Sequence, residues 1–226
     1  LVESVLRRAG LRAGLYTSPH LVRFNERIRI GGRPVSDADL AGAIPAVEAA
    51  AESAERRSGG RMVTFFEFAT ALAFLLFRRQ RAEWVVLETG MGGRLDATNV
   101  VTPRVSIITG ISLEHTEYLG RDIESIAREK GGIIKPGRPV VLGGLPPAAR
   151  EVLAGLARDL GAPVISAEEA VSIRRKRQDL DGQTVALESG SESYGTARCP
   201  LLGRHQLVNM AVALAALLMM VRRVTR

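Results

Sequence analysis

Apolar residues recur along the chain in two alternating patterns, which predict alternating strands and helices. Short continuous apolar runs indicate buried parallel strands, and they are found at 13–16, 84–87, 105–108, 140–142 and 164–165. The run at 84–87 has the composition of a central strand. Longer stretches with helical periodicity occur at 1–9, 36–57, 64–79, 123–130, 148–160 and 205–223. This alternation predicts an α/β fold with a mostly parallel, doubly wound sheet flanked by helices.

Local signals mark several boundaries of these elements. Ser36 with Asp39, and Thr64 with Glu67, have the spacing of capping boxes that open helices. Residues 26–30 alternate charged and apolar side chains before a Gly-Gly pair, which predicts a strand entering a hairpin. Residues 171–200 change to short alternating segments, and they predict a small antiparallel β appendage.

Composition narrows the class of protein. Hydrophobic residues make up 46% and charged residues 24%, a mixture typical of soluble globular domains. The single cysteine, Cys199, cannot form a disulfide within the chain, so we expect a cytoplasmic protein. No run of eighteen uninterrupted apolar residues is found, and we expect no membrane span. The net charge of +7 is scattered and lacks interleaved aromatics, so we expect no nucleic-acid partner.

Candidate chemistry follows the predicted strands directly, where open parallel sheets bind their ligands. Ser18 and His20 follow the first strand, Glu88 follows the strand at 84–87, and His115 follows the strand at 105–108. A hydroxyl, a carboxylate and an imidazole at neighbouring strand ends could bind a magnesium ion that bridges phosphates. The residues alone leave alternatives open, because Ser18 and His20 could cap a turn and His115 could be structural. Lys130 by itself reads as part of a solvated helix face.

One expected motif is missing from the chain. No Gly-Lys dipeptide occurs, so the chain does not contain a nucleotide loop of the form G-x-x-x-x-G-K-[ST]. The residues by themselves therefore predict an α/β domain with a divalent-cation site, and they go no further.

A set of seven motifs adds to this reading, because they stand in the order and at the distances found in one family. They are Leu15 to Leu21, Phe24 to Ile28, Thr64 to Glu67, Glu88 to Asn99, Glu114 to Thr116, Glu129 to Gly137, and Gly203 to Asn209. Together they resemble the bifunctional folylpolyglutamate synthase and dihydrofolate synthase of the Mur ligase superfamily. Glu114 departs from the family pattern, which commonly has aspartate there, and so does Gly131, where alanine is common.

The resemblance implies specific roles for individual residues. Ser18 would bind one magnesium ion, and Glu88 and His115 a second. Lys130 would be the lysine that the family carbamylates, and Asn209 would contact the nucleotide. The pterin site would be lined by Thr64, Phe65, Phe66, Glu67, Leu95, Asp96 and Ala97. Lys130, His115 and Glu88 would thus form the catalytic group.

The resemblance also implies an activity and a domain organisation. ATP would phosphorylate the carboxylate of dihydropteroate or a folate, and the amino group of L-glutamate would attack the acyl phosphate. Residues 1–226 would be the central ATPase domain without its first strand and nucleotide loop, and the glutamate-ligase domain would be absent. We expect this chain alone to be inactive and the full-length enzyme to be a monomer. The alternatives are a cell-wall amino-acid ligase of the same superfamily and an inactive folded remnant.

Overall fold

The computed structural model describes residues 1–224, with side chains through Val221. The last two residues of the predicted 1–226 domain therefore lie outside the description. The chain divides into two compact units. The N-terminal unit comprises Leu1–Met91 and Leu95–Val101, and the C-terminal unit comprises Gly92–Arg94 and Thr102–Arg226.

The N-terminal unit contains a mixed four-stranded sheet. Its strands are β1 (Ala13–Tyr16), β2 (Ile28–Ile30), β3 (Arg33–Pro34) and β4 (Trp84–Leu87), in the order β3-β2-β1-β4. β1 and β4 are parallel, and Tyr16 lies opposite Leu87. The residues that follow these two strands therefore emerge at the same edge of the sheet. β2 runs antiparallel to β1 and forms a hairpin with β3 around the Gly31-Gly32 turn.

The N-terminal unit also contains three helices. They are α1 (Val2–Arg8), α2 (Asp37–Arg57) and α3 (Phe65–Arg79). Both predicted capping boxes are present, at Ser36/Asp39 and at Thr64/Glu67. One face of α3 buries Leu72, Leu76 and Phe77 in a core with Tyr16 and Ile28. Each such side chain stabilises the fold by about 1.5–3 kcal/mol relative to an exposed position.

The C-terminal unit contains a parallel three-stranded sheet of β5 (Ser106–Ile108), β6 (Val140–Leu142) and β7 (Val164–Ser166). Its helices are α4 (Thr116–Leu119), α5 (Ile123–Gly131), α6 (Pro147–Asp159), α7 (Ala167–Ala170) and α8 (Arg204–Val224). One core forms around Leu142, Ile126 and Leu153, and a second core places Val141 against Ala215 and Ala216 of α8.

Three antiparallel strands precede α8, where the sequence predicts the β appendage. They are β8 (Ser172–Asp179), β9 (Gly182–Ser189) and β10 (Glu192–Cys199), paired in the order β10-β9-β8. Gln183 at the start of β9 is fully buried, and its side-chain amide donates to the carbonyls of Leu201 and Gly203. This contact joins the antiparallel sheet to the loop that leads into α8.

The α/β fold class is confirmed, and three details differ from the sequence prediction. Residues Phe24–Arg27 form a 3-10 helix, so the predicted strand at 26–30 begins only at Ile28. The parallel strands fall in two hydrogen-bonded sheets of the described chain rather than one. β4 lies at an edge of its sheet, with Val85 exposed, although its continuous apolar run is typical of a central strand.

Within the described residues, one helix has the length and composition that a membrane span requires. It is the segment Arg204–Val221 of α8. An uninterrupted run of apolar residues, the criterion applied to the sequence, is stricter. α8 does not meet it, because charged or polar residues lie near its start. Core helices of soluble proteins have the same composition, and α8 buries Ala211, Val212 and Ala215 inside its own unit.

Candidate functional site

Ser18 and Glu88 come together at the carboxyl ends of β1 and β4. The backbone N–H of Ser18 donates to Oε2 of Glu88 at 2.8 Å, and the backbone N–H of Glu88 donates to the carbonyl of Tyr16 at 2.9 Å. The parallel register of the two strands produces this contact between residues that are seventy positions apart. The second carboxylate oxygen of Glu88 has no hydrogen-bond or ion-pair partner among residues 1–224. The site therefore offers hard oxygen ligands of the kind that magnesium prefers.

The turn after β1 also contains His20, which the sequence left as either a cap or a ligand. Its Nδ1 accepts a hydrogen bond from Nε of Arg27 at 2.8 Å. The ring lies edge-on to Phe24, with 6.0 Å between the ring centroids. Tyr16 lies at the end of the same strand and bonds to Thr70 at 3.2 Å. Burial raises the pKa of the Tyr16 hydroxyl, and the charge of Arg27 acts in the opposite direction.

The residues 64–67, predicted to line a substrate site, are partly engaged within the protein. The Thr64 hydroxyl accepts from the backbone N–H of Glu67, and the Glu67 carboxylate accepts from the backbone N–H of Thr64 and from Arg61. The hydrogen bond from the Thr64 backbone lowers the pKa of Glu67. Phe66 packs against Tyr16 and against Gly90, where a Cβ atom would lie 2.4 Å from its ring. Phe65, in contrast, is 63% exposed.

Asp96 organises the glycine-rich loop that follows β4. One carboxylate oxygen accepts from the backbone N–H groups of Gly90 and Met91, each at 3.0 Å, and the other accepts from the backbone and hydroxyl of Thr98. Asp96 thereby caps the short 3-10 helix that begins at Ala97. Leu95, immediately before it, is 81% exposed. In the predicted segment 95–97, Leu95 presents an apolar surface and Asp96 fixes the loop.

His115 and Lys130 both belong to the C-terminal unit. His115 is exposed, precedes α4 and has a positive φ of 48°, a conformation that non-glycine residues seldom adopt. Lys130 lies on α5 with its side chain 20% exposed, and its Nζ forms an ion pair with Oε1 of Glu114 at 3.0 Å. The sequence does not reveal this pairing, because Glu114 and Lys130 have no fixed helical or strand spacing.

Asn209 lies in the second turn of α8 and is half-buried. Its side-chain amide donates to Oε1 of Gln206 at 3.2 Å. Gln183 holds the loop directly before this helix through its two bonds to backbone carbonyls. The sequence reading missed Gln183 as a residue that fixes the start of α8, and only its place in an alternating strand marks it.

No group of three or more His, Cys, Asp or Glu side chains converges on a single point within the part of the chain that the structure describes. Magnesium does not require such a cluster, because it retains water and takes further ligands from substrate phosphates. The Ser18 hydroxyl and the Glu88 carboxylate are each oxygen ligands of the type that magnesium held in that way accepts.

Comparison with known families gives the class of this protein. The model of the Mur ligase middle domain matches residues 56–217. The chain therefore belongs to the Mur ligase family, with the α/β fold and strand-end site described above.

The relatives are more specific. The chain is 40% identical over 213 residues to folylpolyglutamate synthase of Lacticaseibacillus casei, covering 94% of this chain and 50% of that protein. It is 37% identical over 216 residues to the dihydrofolate synthase/folylpolyglutamate synthase of Bacillus subtilis strain 168, covering 95% of this chain and 50% of that protein. These relatives bear out the resemblance seen in the sequence motifs. The chain spans about half the length of the curated relatives it matches.

Solved structures give the same result. The apo form of the L. casei folylpolyglutamate synthase superposes with a TM-score of 0.93 at 38% identity, over 99% of this chain and 55% of that one. A complex of a folylpolyglutamate synthase with AMPPCP and folate has a TM-score of 0.93 at 39% identity, with the same coverage. The Mycobacterium tuberculosis enzyme in complex with ADP and AMPPCP has a TM-score of 0.91 at 35% identity, over 97% and 51%.

Proposed function

We propose that this chain is part of an ATP-dependent ligase that adds L-glutamate to dihydropteroate, to folyl-polyglutamate, or to both. The observation that carries the proposal is the Ser18–Glu88 contact at the carboxyl ends of β1 and β4. The similarity to folylpolyglutamate synthases, including one in complex with AMPPCP and folate, supports the same substrates. In this proposal, residues 1–226 are the central ATPase domain, and other parts of the whole protein supply the nucleotide loop and the glutamate-ligase domain.

We assign the ligand-binding roles as follows. Ser18, Glu88 and His115 are magnesium ligands, Lys130 is a catalytic residue, and Asn209 contacts the nucleotide. Phe65 and Leu95 supply exposed apolar surface for the pterin-containing substrate. Thr64, Glu67 and Asp96 shape that site through the backbone groups they hold, and Phe66 and Ala97 complete its lining.

The residues would act mainly by positioning. The carboxylate of Glu88 accepts a hydrogen bond from the backbone N–H of Ser18 and so holds the turn that follows β1. When bound, magnesium supplies positive charge that offsets the charge on the transferring phosphoryl group. Phosphoryl transfer from ATP to the substrate carboxylate gives an acyl phosphate and ADP. Attack by the amino group of glutamate then forms the amide and releases phosphate. Holding both reactants in place accounts for much of the rate increase in such reactions.

We further propose that the enzyme works in the cytoplasm as a monomer on small-molecule substrates. The single cysteine is consistent with a reducing compartment. Its curated relatives act, by their names, on folate-type small molecules.

The test is a ligation assay with dihydropteroate, ATP, magnesium and labelled glutamate on the full-length gene product. We expect glutamate incorporation that depends on ATP, and a loss of at least about a hundredfold in Glu88→Ala if Glu88 binds the metal. Glu83→Ala, which removes an exposed carboxylate from the opposite end of β4, is the control for a general loss of charge. A folded full-length protein that binds ATP but adds no glutamate to either folate substrate would overturn the proposal. It would favour the cell-wall ligase or an inactive remnant.

A further inference from the structure

The end of helix α5 is held by a segment from a distant part of the sequence. Residues Gly92–Arg94 belong to the C-terminal unit, although they precede the rest of it along the chain. The backbone N–H of Arg94 donates to the carbonyl of Glu129 at 2.8 Å. Nε and Nη2 of Arg94 also donate to Oε1 of Glu129, at 3.1 Å and 3.0 Å. Two residues thirty-five positions apart are therefore joined through both their backbones and their side chains.

Two glycines allow this close approach. A Cβ at Gly93 would lie 2.8 Å from the carbonyl oxygens of both Glu129 and Lys130. A Cβ at Gly132, which directly follows α5, would lie 2.4 Å from Cα of Arg94. The φ of Gly132 is −59°, so this position needs glycine for space and not for an unusual backbone conformation. The backbone of Gly92–Arg94 therefore packs directly on the last turn of α5.

The last turn of α5 needs outside partners because the helix is short. α5 has nine residues, and isolated helices of this length are marginal in water. The carbonyls of a last turn also lack N–H partners within the helix. Arg94 supplies an N–H to one of these carbonyls. Its guanidinium adds positive charge near the end of the helix, where the helix dipole favours it.

Lys130 lies in this last turn, immediately after Glu129. Its side chain is 20% exposed, and its Nζ pairs with Oε1 of Glu114 at 3.0 Å. Because the stem of a lysine is flexible, one ion pair does not fix the ammonium group by itself. The place that Nζ can reach depends on where the backbone of the last turn lies. The contact between Arg94 and Glu129 holds that backbone one residue away.

We propose that Arg94, acting through Glu129, positions the last turn of α5 and so holds Lys130 in place for ligation. Arg94 is a positioning residue, because it acts on the reaction only through α5. The pair is partly exposed, with 56% of the Arg94 side chain and 26% of the Glu129 side chain accessible, so it adds little to the free energy of unfolding. Its effect should therefore appear in catalysis. The inference rests on the proposed function, in which Lys130 is a catalytic residue.

The test is steady-state ligation by the full-length gene product carrying Arg94→Met, which keeps an unbranched side chain but removes the charge and its donors. We expect kcat to fall by about tenfold or more, because a small misplacement of a catalytic group is costly. KM for ATP, the folate substrate and glutamate should change by less than about twofold. The midpoint of urea unfolding should stay close to that of the wild type, which a merely structural role would not allow.

Charge reversal tests whether the pair itself is responsible. Arg94→Glu and Glu129→Arg should each lower kcat, and the two together should recover part of the loss. If the reversed pair does not fold, Arg94→Lys decides the question, because it keeps the charge and should retain more activity than Arg94→Met.

Arg128→Met is the matched control, because Arg128 is an exposed arginine of the same helix, next to Glu129 in sequence. It should leave kcat unchanged. An unchanged kcat in Arg94→Met, an equal loss in Arg128→Met, or a loss of kcat that only follows the loss of folded protein would overturn the inference.

Hydrogen exchange followed by mass spectrometry separates this inference from the proposed function. Backbone amides of residues 123–131 should exchange faster in Arg94→Met than in the wild type, and unchanged exchange would overturn the inference. Ligation by the wild type with an unchanged kcat in Arg94→Met would reject the positioning role alone. Faster exchange in Arg94→Met, together with a wild type that does not ligate, would reject the proposed function and still support Arg94 as the residue that fixes α5.

Discussion

Several side chains expected to bind ligands are already engaged in hydrogen bonds within the protein. Thr64 and Glu67 cap α3, and Asp96 accepts from the loop at Gly90 and Met91. Their residue types allowed the sequence to predict where they lie, because polar side chains are common at strand ends and helix starts. Their partners depend on the loop geometry. These hydrogen bonds give Thr64, Glu67 and Asp96 positioning roles within the protein, and their contacts with ligands stay a prediction.

The capping role of Glu67 makes a pH-dependent prediction. Glu67→Ala should lower the free energy of unfolding at neutral pH by about 1 kcal/mol, the usual size of a capping contribution. Hydrogen bonding lowers the pKa of Glu67 in the folded state. Its contribution is therefore present above the pKa of unfolded glutamate and is lost as the pH falls through the folded-state pKa. The difference between wild type and variant should shrink in acid.

Urea unfolding followed by the fluorescence of Trp84 measures this, because Trp84 is the only tryptophan and lies in β4 of the same unit. Glu48→Ala removes an exposed glutamate from α2 and serves as the control. An equal difference at neutral and acidic pH would contradict the capping explanation.

At the scale of elements, helix starts were predicted well and the roles of strands less well. Capping boxes are local signals, so α2 and α3 begin where the sequence indicates. The apolar run of β4 indicated a central strand, but strand order depends on pairing between distant segments, and β4 lies at a sheet edge among the described strands. The 3-10 helix at Phe24–Arg27 was missed because its last residues directly precede the alternating charged and apolar residues of β2, and the predicted strand was extended back over them.

Packing between β1 and α3 predicts the effect of a single methyl group. A Cβ at Gly14 would lie 2.7 Å from two ring carbons of buried Phe77. Gly14→Ala should therefore destabilise the protein by about 1–3 kcal/mol through overpacking. Adding Phe77→Leu to this variant should recover part of the loss, as measured by urea unfolding.

The control is Gly42→Ala on α2, where a Cβ would meet no atom within 4 Å. That substitution should stabilise the helix by about 0.5–1 kcal/mol. If Gly14→Ala were as stable as wild type, the close packing of Phe77 on β1 would be wrong.

At the scale of the whole molecule, the net charge is +7. The basic residues on β8 are partly compensated by ion pairs with carboxylates. On β8, Arg174 pairs with Glu188 at 2.6 Å. Asp179 pairs with Arg177 at 3.7 Å and with Arg198 at 3.1 Å. These pairs are exposed and add little stability, but they reduce the field that a polyanion would feel.

We therefore expect weak binding to nucleic acid, with a dissociation constant above about 1 µM for a single-stranded oligonucleotide near physiological salt. Fluorescence anisotropy with a labelled oligonucleotide measures it. Arg174→Ala and Lys176→Ala should change it little. Submicromolar binding that falls steeply with salt and with these substitutions would show that the basic strand is a nucleic-acid site.

The sequence by itself determined the α/β class, most boundaries of the longer helices, the positions of the parallel strands and the residues that follow them. These depend on periodicity and on capping or turn residues, which act over a few positions. The tertiary structure alone decided which strand ends meet, that Glu88 holds the turn at Ser18, that Glu114 pairs with Lys130, and that Arg27 is buried against His20 and Phe65. Such contacts depend on strand register and packing between distant segments, and a local pattern of residues does not contain that information.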